Sequence, residues 1–172
     1  MLLLRLLQRL ITTLNSEGTP AQVASGIALG SVLGLTPLLN LHNLIVVGII
    51  FLFNVSFPAA MLGWILFTPL GFLLDPVFHA IGDGLLGGTG ALVPVWTALY
   101  NLPVIPFSNY NNTVVLGSLV GWMALVLPIY FLAKRGVAAY RAKVLPRIQQ
   151  SRFFKVMKAS KLYNVYRLFH AE

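Results

Sequence analysis

The sequence VVLGSLVGWMALVLPIYFLA, residues 114–133, contains no charged residue and is followed immediately by Lys134 and Arg135. About 20 helical residues cross the ~30 Å hydrocarbon core of a bilayer, so this stretch predicts a membrane-spanning helix. Basic residues of membrane proteins collect in their cytoplasmic segments. The Lys–Arg pair therefore places the C-terminal end of this helix in the cytoplasm.

The rest of the chain shows the same separation of charge from apolar sequence. No Lys or Arg occurs from Leu10 to Ala133, and all twelve basic residues lie toward the two ends. Only 9% of the residues are charged, against about 25% in a typical soluble domain, and the mean hydropathy is +0.83. The composition predicts an all-α membrane protein. The net charge of +8 then indicates topology and not nucleic-acid binding.

The chain divides into three regions. Residues 1–17 place Arg5 and Arg9 on one helical face and leucines on the other. This pattern predicts an amphipathic helix in the headgroup plane, with an ordinary packed helix as the alternative. Residues 18–133 predict a membrane-embedded helical domain, and residues 134–172 a basic amphipathic tail. Since basic residues occur at both ends, we expect a multi-pass protein with both termini in the cytoplasm.

The tail carries ten basic residues with aromatic residues between them. One interpretation is contact with the anionic lipids of the inner leaflet, where each Lys or Arg near the surface contributes about 1 kcal/mol. The other interpretation is a helix that docks on a protein partner. The residues expected at the lipid surface are Lys134, Arg135, Arg141, Lys143 and Arg147.

Prolines divide the embedded domain. Thr19 before Pro20 predicts the start of a helix that ends at Thr36-Pro37, and a second apolar segment over residues 41–53 is too short to cross a bilayer. The tripeptide Thr-Pro-Leu recurs at Thr68-Pro69-Leu70, which predicts a second break and an internal repeat. The sequence thus predicts two proline-broken helical hairpins, which are either re-entrant or full crossings.

The remaining connections follow from the same reasoning. Asp75 precedes Pro76 and predicts the N-cap of a short helix through Gly82. With both termini on one side, the number of crossings is even. Two re-entrant hairpins, a crossing near residues 85–100 and the final helix satisfy this condition, and so do four full crossings.

Two groups of residues in the embedded domain are candidate functional sites. Gly26, Gly30 and Gly34 recur every four residues and form a flat face for close helix packing or a groove. The polar residues cluster at the proline breaks, where they satisfy backbone groups freed by proline or line a polar path at the membrane midplane. The residues of these midplane breaks are Thr36, Pro37, Asn40, Asn54, Thr68 and Pro69.

Catalytic chemistry has little support in the sequence. Asp75, His79 and Asp83 are spaced to share one helical face, but Asp75 has a capping role and Asp83 begins an ordinary turn. There is no Cys, and no hydrolase, zinc-protease or nucleotide-binding motif. We therefore expect a protein that is not an enzyme and has no cofactor and no metal site.

Four blocks of this sequence resemble a known family. In chain order they are Gly26-x3-Gly30-x3-Gly34-x2-Pro37, Asn54 before Pro58, Thr68-Pro69, and Gly82-x2-Leu85-Leu86-Gly87. This order is similar to that of domain-of-unknown-function family 2062, a family of small bacterial inner-membrane proteins, over residues 18–135. The family usually has Asn before the second proline, where this chain has Thr68. Asp75 and His79 match no pattern of the family.

The resemblance implies a location in the bacterial inner membrane and no established activity. Some members of the family are encoded beside large envelope proteins that resemble AsmA-type lipid-transfer bridges. The resemblance therefore favours a non-catalytic subunit that handles envelope phospholipid together with an AsmA-like periplasmic partner. The alternative is a small transporter or channel component with a midplane polar site at the two Thr-Pro-Leu breaks.

Overall fold

The computed structural model describes residues 18–88 and 90–150. Within these residues every regular element is helical, as predicted. The helix predicted over residues 1–17 and the distal tail, residues 151–172, lie outside the described residues. The helices are α1 (Pro20–Leu35), α2 (Leu41–Leu52), α3 (Phe57–Leu86), α4 (Val93–Tyr100), α5 (Thr113–Ala139) and α6 (Leu145–Gln150), with a 3-10 turn at Ile105–Ser108 and a π-helical turn at Tyr140–Val144.

Two helical stretches are long and apolar enough to cross a membrane. They are Phe57–Leu86, which is α3, and Thr113–Arg147, which joins α5 to α6 through the π-helical turn. In the most apolar 18-residue stretch of each, only 28% and 22%, respectively, is buried inside the protein. The core helix of a soluble protein would be mostly buried, so these two helices turn most of their apolar surface outward. The predicted helix over residues 114–133 is confirmed.

The ends of α1 lie where the sequence predicts them. Thr19 caps α1 by accepting a hydrogen bond from the backbone N–H of Gln22, and the Gln22 side chain accepts one from Thr19 in return. Thr36 ends the helix in an extended conformation because it precedes Pro37. The first proline break is therefore confirmed.

The second predicted break is wrong, because α3 continues through both Pro69 and Pro76. Each proline removes one backbone hydrogen bond, which at Pro69 leaves the carbonyl of Ile65 without its helical donor, while the hydroxyl of Thr68 donates to the adjacent carbonyl of Trp64 at 2.7 Å. Residues 70–74, which follow Pro69, are apolar and offer no polar side chain that could replace backbone bonds, which favours continuation of the helix. Asp75 is consequently an interior residue of α3 and not an N-cap.

The crossing predicted near residues 85–100 is also wrong. α3 ends at Leu86, and α4 has only 8 residues, or about 12 Å at ~1.5 Å per residue. This region is instead a compact connection between α3 and α5. Trp96 stacks on Tyr110 with ring centroids 5.6 Å apart, and the Tyr110 hydroxyl donates to the carbonyl of Trp96 at 2.7 Å.

α1 and α3 run parallel with their backbones in contact. A Cβ added at Gly26 would lie 2.8 Å from the Cβ of Ala59, and one added at Gly34 would lie 2.7 Å from the backbone nitrogen of Thr68. The contacts advance in the same direction along both helices, which establishes the parallel arrangement. Since such distances leave no room for a side chain, small residues at these positions are what permits this packing.

α5 runs antiparallel to α3 and is packed in the same way. Gly117 lies against the carbonyl of Phe78, and Gly82 lies against the carbonyl of Thr113. The contacts move from Phe78 to Gly82 along α3 and from Gly117 back to Thr113 along α5, so the two helices run in opposite directions. Glycines from both helices thus bring the two backbones together.

α5 is also antiparallel to α1, so the three helices form one bundle. The indole of Trp122 on α5 donates to the carbonyl of Ala28 at 3.2 Å. Near the other end of α5, the guanidinium of Arg141 donates to the carbonyl of Gly18 at 2.7 Å. The beginning of α1 and the end of α5 therefore lie at the same end of the bundle.

α2 returns the chain to this end. It starts beside the end of α1, and the backbone N–H of Ser56, just beyond α2, donates to the carbonyl of Gln22 near the start of α1 at 3.3 Å. α1 and α2 thus form a helical hairpin whose tip, residues 36–40, lies away from the end that holds Gly18 and Arg141. We call residues 36–40 the hairpin tip.

Candidate functional site at the hairpin tip

A buried polar cluster occupies the hairpin tip. The hydroxyl of Thr36 lies 2.8 Å from the carbonyl oxygen of Val32 and 3.1 Å from Oδ1 of Asn43. The Asn43 amide donates to the carbonyl of Pro37 at 2.8 Å, and the Asn40 amide donates to the same carbonyl at 2.6 Å. Thr36, Asn40 and Asn43 are all buried. Their side chains therefore satisfy backbone groups that the proline break leaves without helical partners.

His42 completes the cluster from the first turn of α2. Its Nε2 lies 3.2 Å from the Thr36 hydroxyl, and its Nδ1 is buried without a hydrogen-bond partner among the described residues. Burial lowers the pKa of His42 below its usual value, so the imidazole is neutral near pH 7. A neutral imidazole avoids placing a charge beside the amides.

The loop before α5 contacts the hairpin tip. The amide of Asn109 donates to Oδ1 of Asn40 at 2.7 Å and to the carbonyl of Leu39 at 3.3 Å. Asn109 has a positive φ of 54°, a conformation that Asn adopts more readily than most residues. Its side chain thus joins two segments that lie about seventy residues apart in the chain.

An open pocket of about 480 Å³ lies between the hairpin tip and the start of α5. Amide side chains predominate in its lining, and no charged residue takes part. The lining residues are Pro37, Leu39, Asn40, Asn109, Asn111, Asn112 and Val115. The pocket can therefore hydrogen-bond a polar group but offers no ionised side chain for acid–base chemistry.

The structure separates the other residues of the predicted midplane breaks from this cluster. Asn54 is exposed in the turn between α2 and α3, at the opposite end of α2 from the tip. Thr68 and Pro69 lie within α3, beside Gly34 near the end of α1, and the Thr68 hydroxyl is bonded to its own helix. The two Thr-Pro-Leu segments therefore do not form two equivalent breaks.

The three glycines of α1 are covered by α3. A Cβ added at Gly30 would overlap the carbonyl oxygen of Ala60, and the other two positions are equally close to α3. The structure thus places Gly26, Gly30 and Gly34 in a helix-packing interface, which leaves no open groove along these residues.

The ionisable residues of α3 make one notable contact. Nδ1 of His79 lies 2.6 Å from the hydroxyl of Thr113 at the start of α5. Asp75 is half-buried, whereas His79 and Asp83 are exposed. Across the described residues no group of three His, Asp or Glu side chains is placed to hold a metal ion.

The basic residues lie at the end of the bundle opposite the tip. Lys134, Arg135, Lys143 and Arg147 are exposed, and the Lys134 ammonium lies 5.7 Å from the centroid of the Tyr130 ring. Arg141 is half-buried against Gly18. The charge of the described part of the tail is thus concentrated at one end of α5 and in α6.

The sequence interpretation missed the contribution of the loop over residues 101–112. Residues 101–112 contain four asparagines and no charged residue, a composition typical of an external loop. The available signal was that an uncharged, amide-rich loop precedes a spanning helix. Nothing in the sequence connected this loop with the hairpin tip, because the Asn40–Asn109 contact depends on the packing of α5 against α1.

The comparisons with known proteins identify the family of this chain. A family model described as an uncharacterised protein conserved in bacteria, DUF2062, matches residues 4–145. The chain belongs to the DUF2062 family. An uncharacterised protein of Treponema pallidum (strain Nichols) is 29% identical over 160 residues, which cover 93% of this chain and 98% of the relative. No solved structure matches the chain. The resemblance noted in the sequence is confirmed.

Proposed function

We propose that this DUF2062 protein is a non-catalytic, multi-pass subunit of the bacterial inner membrane that takes part in envelope phospholipid handling. The observation that carries the proposal is the separation of exposed apolar side chains from charge.

Large apolar side chains project outward from three helices. On α2, α3 and α5 the exposed residues include Leu44, Ile45, Phe51, Leu52, Leu66, Phe72, Leu73, Leu127, Phe131 and Leu132. In water such a surface would drive association, whereas lipid tails cover it at no cost. This surface supports a position of the bundle within the bilayer.

The charged end supports an orientation. Arg141 and its basic neighbours lie beside Gly18, and basic residues are favoured on the cytoplasmic side. The hairpin tip and α4 would then face the periplasm. α3 and α5 would cross the bilayer, and α1, only 16 residues or about 24 Å long, would enter from the cytoplasmic side and return through α2. This arrangement makes the α1–α2 hairpin re-entrant.

The closed core favours a subunit over a channel. The α1–α3 and α3–α5 interfaces are in backbone contact at Gly30 and Gly117, which leaves no room for a polar path between these helices. The hydroxyl of Thr68 is used within its own helix. The transporter or channel alternative predicts that Thr36→Val with Thr68→Val abolishes flux in a folded protein; unchanged flux would remove it.

The far end of the bundle presents a surface for a periplasmic partner. Phe107 is 71% exposed, and Tyr100, Leu102 and Val104 are exposed beside it in the connection between α4 and α5. These side chains lie outside the two spanning stretches. An apolar, uncharged surface at this position supports contact with an envelope protein, and an AsmA-like bridge is the partner that we propose.

Topology is tested by cysteine accessibility, for which the chain is well suited because it has no Cys. Single cysteines replace Asn54, Phe107 and Lys143, and intact cells are treated with a maleimide that cannot cross the inner membrane. We expect labelling at position 107 alone, with labelling at positions 54 and 143 only after the membrane is opened. Labelling at position 54 in cells with an intact inner membrane would refute the re-entrant hairpin.

Function is tested by photo-crosslinking in native membranes. A photoreactive phenylalanine analogue replaces Phe107, and a matched variant carries it at Phe51, which is equally exposed but lies at the end of α2. We expect a protein adduct in the envelope only at position 107, and lipid adducts at position 51. If position 107 yields no protein adduct and deletion leaves envelope lipid composition unchanged, the proposed function is wrong.

A further inference from the structure

We infer that the pocket between the hairpin tip and the start of α5 binds the hydroxyl-bearing headgroup of a lipid, either a glycerol or a sugar. This inference rests on the proposed function and names the ligand class of the site. Four features of the pocket support it: the amide side chains, the start of α5 whose backbone N–H groups are already bonded to Asn112, the lack of charged lining residues and the apolar rim.

The pocket offers several amide groups, most of which are held in place by hydrogen bonds. Asn40 is held by Pro37 and Asn109, with bonds of 2.6 and 2.7 Å. Asn111 also lines the pocket, and its side chain makes no hydrogen bond to any other described residue. An amide presents both donors and acceptors, and so does a hydroxyl group. A ligand with several hydroxyls can therefore bond to these amides without leaving a group unpaired.

A phosphate group fits this pocket less well. The start of α5 faces the pocket, but Oδ1 of Asn112 already accepts from the backbone N–H groups of Val114 and Val115, at 2.9 and 3.2 Å. These donors are the ones that would otherwise bind an anion at a helix start. No Lys or Arg lines the pocket, and a phosphate without a cation would pay its desolvation cost uncompensated. The hydroxyl-bearing end of a headgroup, and not a phosphate, is therefore the better match for the inside of the pocket.

The rim of the pocket indicates a lipid and not a soluble polyol. Leu39, one of the lining residues, is 93% exposed, and its neighbour Leu38 is 48% exposed. The exposed side chains of Leu44 and Ile45 follow on α2. A headgroup in the pocket would thus have an apolar surface beside it for its acyl chains.

The test measures which lipids remain bound to the full-length chain. The protein is placed in nanodiscs that contain phosphatidylethanolamine, phosphatidylserine, phosphatidylglycerol and a monoglucosyl diacylglycerol, and lipids retained on release are counted by native mass spectrometry. We expect roughly tenfold enrichment of the glycerol and glucosyl headgroups over phosphatidylethanolamine, as one or two extra hydrogen bonds would give. Equal enrichment of phosphatidylserine and phosphatidylglycerol without the glucolipid would show charge selection and overturn the inference.

Variants assign the selectivity to the pocket. Asn111→Leu should abolish the enrichment, and Asn111→Ser should retain part of it because the hydroxyl still forms a hydrogen bond. Asn54→Leu is the matched control, since Asn54 is also exposed but lies at the other end of α2. An unchanged melting temperature for each variant verifies folding. Enrichment that survives Asn111→Leu would overturn the inference.

Two further results distinguish a lipid headgroup from a free polyol, and the headgroup site from the proposed partner. Excess free glycerol or glucose should leave the bound lipids in place; displacement by the free sugar would overturn the lipid assignment. A missing protein adduct at position 107 would refute the proposed partner without altering lipid enrichment. Loss of enrichment alone would refute the headgroup site and leave the membrane subunit intact.

Discussion

Gly30→Ala provides the sharpest test of the packing between α1 and α3. The added Cβ would lie 2.9 Å from the Cα of Ala60 and would overlap the carbonyl oxygen of the same residue. A backbone group cannot rotate away as a side chain can. The two helices would have to separate, and the contacts beside Gly30 would be lost with them.

The magnitude follows from two opposing effects. Overpacking in a close interface lowers the free energy of unfolding by about 1–3 kcal/mol. Replacing Gly by Ala within a helix raises it by about 0.5–1 kcal/mol. We therefore expect the free energy of unfolding to fall by about 1–2 kcal/mol. For a chain of this length that corresponds to a melting temperature lower by roughly 2–8 °C.

Gly48→Ala is the matched control, because a Cβ at Gly48 has no neighbouring atom within 4 Å and the residue lies within α2. At this position the substitution only stabilises the helix, because no neighbouring atom is displaced. The melting temperature should therefore rise by about 1–4 °C. Thermal unfolding in detergent is followed by tryptophan fluorescence, for which Trp64 and Trp122 lie in the bundle. If both variants shift the midpoint in the same direction, the backbone contact at Gly30 is not what holds α1 on α3.

Three further substitutions test other parts of the bundle. Asn112→Ala removes the cap of α5 and should cost about 1 kcal/mol, measured as a lower melting temperature. Trp122→Phe keeps an aromatic ring but removes the bond to Ala28, and should cost about 1 kcal/mol; an unchanged midpoint would contradict this bond. Asn43→Leu removes the amide bonds to the carbonyls of Pro37 and Leu38, each of which keeps one bond from Asn40, so it should cost about 1–3 kcal/mol in total and accelerate amide hydrogen exchange at the tip. Asn101→Leu, on the exposed end of α4, is its control and should leave that exchange unchanged.

Much of the helical architecture could be predicted from the sequence, because the signals involved are local. The uncharged run at residues 114–133 predicts its helix by length and composition alone. Thr19 and Gln22 form a capping box within four residues. The repeated glycines of α1 indicate close packing, but they do not indicate which helix covers them.

The candidate site could be predicted only in part, because it joins distant segments. Thr36 and Asn40 are recognisable as polar residues at a proline break. Their connection to Asn109 requires the antiparallel packing of α5 on α1, to which Trp122 contributes. A pocket between two loops has no periodicity of its own, so its lining depends on tertiary packing that local patterns do not encode.

The two Thr-Pro-Leu segments show why one proline ends a helix and another does not. After Pro37 come Asn40 and Asn43, whose amides donate to the carbonyls of Pro37 and Leu38. These amides replace the backbone bonds that a break in apolar surroundings would otherwise leave unmade.

After Pro69 the next polar side chain is that of Asp75, six residues on, beyond the reach of the freed carbonyls. Breaking the helix there would leave backbone groups without side-chain partners, so losing one bond at the proline is the smaller cost. The amides that follow a proline, and not the proline itself, therefore determine where this chain turns. Because Asn40 also lines the pocket, a residue that makes the turn also forms part of the candidate site.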